Sequence, residues 1–355
     1  MIIFLTRPMN NRDTHLNGRS VLITWPDYPD ESSNVGARLI AAGLLLRRAP
    51  KLGDRTPEEI CDLAADVVAA IVSTDPFDAS VFAGCPTLRV VARVGVGVDS
   101  IDLAAASASG VAVTTTPGVN ESTTADHTVA LMLAAIRRVA EHDAAVRRGG
   151  WPRSGPHVPW DLAGTTVGLI GYGRIGKLVA RRLEGFDVRI IFTDPNEPGN
   201  GRAERVKLDE LLGTADVVSV HTPLLDGTRG LIGGREFGLM RREAIFVNTA
   251  RGGVVDEQAM LDALESGRIR GAALDVFEPE PPRSRRLLEL RNVVLSPHIG
   301  GISELSVGEM LHQATGAVLD VLAGRIPDGL VNRDVLEIAP LAPAGSRAGE
   351  RQQPS

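Results

Sequence analysis

Residues 166–183 read Thr-Val-Gly-Leu-Ile-Gly-Tyr-Gly-Arg-Ile-Gly-Lys-Leu-Val-Ala-Arg-Arg-Leu. The apolar run Val167–Ile170 has the length of a buried strand. Gly171, Gly173 and Gly176 form a GxGxxG loop, and Lys177–Leu183 continues with helical spacing. The first two glycines permit a tight turn and close approach of a pyrophosphate. Gly176 lets the helix pack on the strand, and the helix N-terminus presents amide N–H groups to phosphate. The bare pattern is weak evidence in a chain with 38 glycines; the flanking strand and helix are what give it force. Asp194 follows the next apolar strand, where a carboxylate can accept both hydroxyls of an adenine ribose and repel a 2′-phosphate. A strand-end turn Asp beside Pro195 is the plainer alternative. No Arg or Lys follows Asp194 immediately, so NAD is the expected cofactor.

Outward from this unit, apolar strands are expected at 188–192, 217–220, 244–248, 272–276 and 293–296, most separated by helix-sized intervals. That alternation describes a Rossmann domain. Upstream, short apolar runs at 21–23, 67–72, 88–94 and 111–114 alternate with amphipathic stretches, including one near 35–42, and predict a second, smaller doubly wound domain. After Asn120, Ala125, Val129, Met132, Leu133, Ile136 and Val139 recur at spacings of three, four or seven and predict one long helix ending at Gly149-Gly150. The stretch from Trp151 to Trp160 reads as a loop or interdomain crossing. Residues 303–322 are amphipathic but have no further strands to pack on, which suggests a return to the first domain. Residues 1–18 read as an extension, and the polar tail beyond Leu336 as disordered.

At 355 residues the chain suits two domains. A formal net charge of −6, with dispersed cations, argues against nucleic-acid or anionic-membrane partners. Two cysteines, Cys61 and Cys85, supply neither a disulfide framework nor a CxxC metal site. There is no HExxH motif or other clustered His/Cys spacing, so no metal is expected. The opening apolar residues end at Arg7 without leader features, and no run reaches membrane-span length. A cytoplasmic protein is the expectation.

Three further residue types sit beyond expected strand ends, where parallel sheets bind ligands. Arg251 follows 246–248 in a glycine-containing loop; its guanidinium can grip a carboxylate with two parallel hydrogen bonds, or simply pair with Asp256 on the surface. His298, in Ser296-Pro297-His298-Ile299-Gly300-Gly301, can move a proton, although a lone histidine is more often a packed residue. Glu280, between Pro279 and Pro281, can fix the tautomer of His298 and stabilise its imidazolium if the two meet. Together with the glycine loop, an anion clamp and a carboxylate–histidine pair describe a dehydrogenase.

The chain resembles the D-isomer-specific 2-hydroxyacid dehydrogenases, and among them the phosphoglycerate dehydrogenase-like branch. The resemblance covers roughly residues 20–335 and is carried by Arg93–Asp102, Gly168–Gly176, His221–Leu224, Asn248–Asp256, Leu274–Pro281 and Ser296–Gly301. It implies a Rossmann NAD-binding domain over 120–301, inserted in a flavodoxin-like substrate domain made of 1–119 and 302–338, with 339–355 as a disordered tail. It implies that Arg251 binds the substrate carboxylate and carbonyl, that His298 is the acid/base and that Glu280 is its partner. Asp275 would lie near the nicotinamide carboxamide, and Arg174 and Ile175 near the pyrophosphate. Thr222, Ala250, Gly300 and the backbone around His298 would line the cofactor cleft, while the amides of Val96 and Gly97 would reach the substrate carboxylate. Homodimers are usual in the family. The implied reaction is reversible oxidation of a D-2-hydroxy acid. Oxidation of another small anion such as phosphite, or a nucleotide-sensing corepressor role, are the alternatives; formate is disfavoured because it has no hydroxyl proton for Glu280–His298 to remove, and its oxidising relatives carry Gln in place of the acid. For the substrate, the chain ends without the regulatory domain of many phosphoglycerate dehydrogenases. Asp75, in the loop 72–76, also puts an acid where a phosphorylated substrate would favour a cation. An unphosphorylated or differently charged 2-oxo acid is therefore at least an equal expectation.

Overall fold

The computed structural model describes residues 16–155 and 158–339. The expected extension and tail therefore lie almost wholly outside the described residues. The chain divides into two compact units, one formed by the segments up to Val119 and from Val307 onward, the other by Asn120–Ser306.

The first unit holds β1 (Ser20–Ile23), β2 (Leu45–Arg48), β3 (Val67–Val72), β4 (Val90–Arg93) and β5 (Ala112–Thr114). They form one parallel sheet in the order β2-β1-β3-β4-β5, the flavodoxin-like winding. Both faces are covered, so the inner strands are apolar throughout rather than alternating. Along β3, Val68, Ala69 and Ile71 enter one core cluster, and Val67, Ala70 and Val72 the other. The helix Glu304–Leu322 supplies Met310, Leu311, Ala314 and Val318 to the first of these clusters. That is where the amphipathic segment without strands of its own finds apolar surface to cover.

The second unit holds β6 (Thr166–Ile170), β7 (Arg189–Thr193), β8 (Glu204–Arg205), β9 (Val217–Val220), β10 (Ile245–Asn248), β11 (Gly271–Leu274) and β12 (Val293–Leu295). Their order, β12-β11-β10-β9-β6-β7-β8, is parallel throughout and reverses direction between β6 and β9, as in a Rossmann sheet. Successive residues of β10 serve opposite faces: Phe246 packs in one cluster, Ile245 and Val247 in the other.

Two expectations are corrected. The single helix after Asn120 is two, Glu121–Ile136 and Val139–Arg147, because Arg138 takes a left-handed conformation at φ 52° and breaks the hydrogen-bond ladder between them. Its guanidinium pairs with Glu141 on the next turn. The strands β2 and β8 were not expected. Both are sheet edges with polar or half-exposed residues, so neither carries the apolar run that marks an inner strand.

Candidate functional site

Parallel register brings the chemistry of the second unit to one edge. Asn248 of β10 pairs with Leu274 of β11, which pairs with Leu295 of β12. Arg251, Glu280 and His298 follow these three adjacent strands on the same, carboxyl side of the sheet. The Asn248 side chain shapes the first exit loop. Its Nδ2 donates to the Arg251 carbonyl at 2.9 Å, and its Oδ1 accepts from the Ala250 amide at 3.0 Å. The Arg251 Nη1 donates to the Ala250 carbonyl at 2.6 Å. Asp256, the surface partner considered for Arg251, caps the next helix by accepting from Ala259 N at 3.1 Å. Gly252 presses this loop against the β11 exit: a Cβ there would lie 2.1 Å from the Phe277 carbonyl carbon.

The Glu280 carboxylate is held by the Phe277 amide, which donates to Oε1 at 3.0 Å, and its Oε2 lies 2.7 Å from His298 Nδ1. Both side chains are about one-third exposed, so the pair is reachable from solvent. With Nδ1 engaged by a carboxylate, Nδ1 carries the proton and Nε2 of the neutral ring is left with a lone pair. The His298 backbone is left-handed, φ 54°, a conformation that costs a non-glycine residue roughly 1–3 kcal/mol and persists only where surroundings enforce it. Its amide donates to the Asp275 carbonyl at 2.8 Å.

At the point where strand order reverses, β6 and β9 end side by side. The Gly171 amide donates to the Thr193 carbonyl at 2.9 Å, and a Cβ on Gly171 would stand 2.6 Å from the His221 carbonyl and 3.0 Å from Thr222 Oγ1. Gly176 is equally constrained, 2.5 Å from the Gly171 carbonyl. The helix Arg174–Leu183 starts at Gly173 with no side-chain cap, so its first-turn amides are available to an anion. Arg174 is exposed and paired with Glu121 at 3.1 Å, and Ile175 packs against the core. Thr222 Oγ1 donates to the Ile170 carbonyl at 3.1 Å.

Asp194 accepts from Tyr172 N at 2.8 Å through Oδ2, and from Asn196 N at 2.9 Å and Glu197 N at 3.1 Å through Oδ1. Burial opposes its charge, but these amides and nearby Arg205 outweigh it and hold the carboxyl below its usual value. Oδ2 keeps a lone pair for a ligand hydroxyl. Arg205, eleven residues on, escaped the sequence reading. Strand β8 brings it alongside β7, and its guanidinium donates to the Asp194 and Pro195 carbonyls at 2.8 and 3.2 Å.

In the first unit, Val96 and Gly97 follow β4, and Val96 is exposed. The preceding Gly95, at φ +137°, is fastened by its amide to Thr116 Oγ1 at 3.0 Å and by its carbonyl to Thr116 N at 2.9 Å. Asp75 does not present an acid to solvent as expected. It is fully buried, accepts from Thr24 Oγ1, and pairs with Arg55 Nη1 at 3.1 Å. Among the described residues, no group of three or more His, Cys, Asp or Glu side chains could hold a metal ion, and no helix is long and apolar enough to cross a membrane.

Residues 129–300 match the family described as D-isomer specific 2-hydroxyacid dehydrogenase, NAD binding domain. A glyoxylate reductase of Korarchaeum cryptofilum (strain OPF8) is 44% identical over 289 residues, which is 76% of this chain and 85% of the relative. A D-3-phosphoglycerate dehydrogenase of Mycobacterium leprae (strain TN) is 37% identical over 90% of this chain, and the match spans 57% of that protein. Among solved structures, the TT0316 protein from Thermus thermophilus superposes with a TM-score of 0.81 at 39% identity, covering 88% of this chain and 99% of the other.

One group at the strand-order reversal has a measurable acid signature. His221 is half-buried as a residue, but its Nδ1 is enclosed without a partner among the described residues, while Nε2 meets Ser219 Oγ at 3.0 Å. Burial pushes its imidazole down to about 4. An unfolded histidine titrates near ~6.5, so between those values the unfolded chain binds the extra proton. Stability is therefore lost as pH falls through this window and levels off below it. His221→Asn should flatten the Tm–pH curve between about pH 7 and 4 relative to the parent; parallel curves would assign the acid loss elsewhere.

Proposed function

Since the chain belongs to the D-isomer specific 2-hydroxyacid dehydrogenases, we propose that it interconverts a small 2-oxo acid, glyoxylate foremost, and the corresponding 2-hydroxy acid, the D-isomer wherever C2 is a stereocentre, with NAD as cofactor. The observation that carries this reading is the 2.7 Å contact of Glu280 Oε2 with His298 Nδ1. It leaves Nε2 as the proton-transferring atom, at the same carboxyl edge of the sheet that Arg251 follows. Glyoxylate comes first because relatives at this level of identity, such as the Korarchaeum protein, carry that name.

The glycine loop, the uncapped helix start at Gly173 and Asp194 fit a dinucleotide. A Cβ at Gly171 or Gly176 would fill the cradle, and Oδ2 of Asp194 has acceptor capacity for a ribose hydroxyl. The same carboxylate, held in its charged form, disfavours a 2′-phosphate, and this supports NAD over NADP. Arg205 stands against that preference: only its Nη2 is engaged, by the Asp194 and Pro195 carbonyls, so its charge remains beside the site, and the NADH-against-NADPH comparison decides between the two residues. The bound nicotinamide supplies a hydride acceptor for C2 of the hydroxy acid. Arg251 binds the substrate carboxylate and polarises its C2 oxygen. Neutral His298 takes the hydroxyl proton at Nε2, and Glu280 stabilises the imidazolium that results; in reduction the proton returns by the same path. Asp275, Thr222, Ala250 and Gly300 belong to the cofactor side of the site.

A homodimer is part of this reading. The helix Val139–Arg147 buries none of its residues within its unit, and Val139, Val146 and Trp151 are each at least half exposed. An isolated helix of nine residues is marginal in water, so a partner surface would account for its persistence.

NADH oxidation with purified protein should be fastest with glyoxylate or hydroxypyruvate among a panel including pyruvate and phosphohydroxypyruvate, and slower with NADPH. Tight NADH binding with no turnover of any 2-oxo acid would sink the proposal. His298→Ala and Arg251→Ala should each lower kcat/KM by about 10²–10⁴-fold while NADH binding persists. Light scattering should give twice the 37.6 kDa chain mass, and Val146→Asp with Trp151→Asp should halve it.

A further inference from the structure

A second histidine stands behind the first. His127, within the helix Glu121–Ile136, places Nε2 2.9 Å from Ser296 Oγ and 3.3 Å from Asp275 Oδ1. Ser296 Oγ in turn donates to Asp275 Oδ1 at 2.6 Å. A hydroxyl has one proton, so Ser296 can only accept from His127, and the His127 proton is thereby fixed on Nε2. The relay runs from the helix, through the β12 exit, to a carboxylate at the β11 exit.

That carboxylate grips the loop on which His298 sits. Asp275 is 1% exposed; its Oδ1 accepts from Ile299 N at 3.0 Å and its Oδ2 from Gly300 N at 2.7 Å. On the other side of the same turn, the His298 amide donates to the Asp275 carbonyl at 2.8 Å. Residue 275 therefore ties the backbone before and after the His298 Cα, which is how a left-handed histidine is held in place. Gly300 makes the approach possible: a Cβ there would lie 2.8 Å from Asp275 Oδ2 and 3.5 Å from His127 Cδ2. Burial works against charge on Asp275, but the donors from His127, Ser296 and the two amides outweigh it and keep the carboxyl below its ordinary value. In its neutral form the acid would have a proton to place and a weaker hold on the two amides.

We propose that His127 is a positioning residue for His298: acting through Ser296 and Asp275, it fixes the turn that aims the His298 imidazole and so sets the rate of the chemical step. This rests on the dehydrogenase reading above, with His298 as the acid/base. Misplacing a catalytic group by about 1 Å can cost on the order of 100-fold in rate, so a loosened turn would be felt in turnover before binding.

The test compares the parent with His127→Ala, His127→Gln and Ser296→Ala. It measures 2-oxo acid reduction at saturating NADH, NADH affinity by fluorescence titration, and the primary isotope effect with NADH deuterated at the transferred position. His127→Ala and Ser296→Ala should each lower kcat about tenfold or more, raise the isotope effect, and leave the NADH Kd within about twofold. His127→Gln, whose amide N–H reaches a position like that of Nε2, should recover most of the loss. Parent-like kcat and isotope effect in either the His127→Ala or the Ser296→Ala variant overturn the relay. So does a loss of kcat and NADH affinity together that Gln does not rescue, the signature of a packing role. A parent that binds NADH but reduces no 2-oxo acid overturns the dehydrogenase reading, and the relay with it; an active parent with an unaltered His127→Ala overturns the relay alone.

Discussion

An all-parallel sheet has one chemically privileged edge, and the second unit is organised by that constraint. Every strand from β6 to β12 runs the same way, so every exit loop opens on the same side. The return segments, mostly helices, cover the two faces and leave the backbone donors and acceptors beyond the last ladder bonds to be satisfied locally or by a ligand. Gly171, His221, Arg251, Glu280 and His298 have no sequence proximity. They share an edge because β6, β9, β10, β11 and β12 are parallel neighbours, held in register by pairs such as Val167 with Val217 and Asn248 with Leu274.

Two carboxylates, Asp194 and Asp275, govern the two ends of that edge by the same physics. Burial opposes the charge of each, and hydrogen bonds outweigh it: backbone amides foremost at Asp194, His127 and Ser296 ahead of two amides at Asp275. The geometry gives them different consequences. Asp194 gathers the amides of its own turn and one from the glycine loop, so it ties the β7 exit to that loop while keeping acceptor capacity on Oδ2. Asp275 has given its oxygens to Ser296, Ile299 and Gly300, with His127 close by, so it acts on the loop that carries His298.

The legibility of the chain follows burial. Inner strands such as β3, β9 and β10 are apolar along nearly their whole length because both faces are covered, and they can be read from composition alone. The glycine loop is legible for a similar reason, since backbone contacts at Gly171 and Gly176 exclude any side chain. Elements defined by partners distant in sequence are not legible. The edge strand Glu204–Arg205 exists because β7 offers it a ladder, and nothing in two charged residues announces that. The break at Arg138 carries no glycine or proline signal. His127 reads as one of several polar positions in the first half of its helix until the fold sets it against Ser296 and Asp275. Arg251, Glu280 and His298 stood out because each follows an apolar strand, but the contact between the last two depends on the sheet order.

The first unit shows how a charge can be misread when its partners are unseen. Asp75, as a loop acid after an apolar strand, suggests a surface that repels an anionic substituent on a substrate. The folded chain buries that carboxylate against Arg55, Thr24 and the Ser73 amide, so its negative charge is neutralised inside the unit. A second cation reaches the same turn: the Lys51 ammonium donates to Thr74 Oγ1 at 2.8 Å and to the Thr74 carbonyl at 3.1 Å. A salt-bridged, buried acid contributes little field beyond its partner, whereas a half-buried ammonium held by two neutral oxygens keeps its charge. The loop 72–76 therefore presents no free negative charge at Asp75, and the reading of that residue as an exposed acid loses its physical basis.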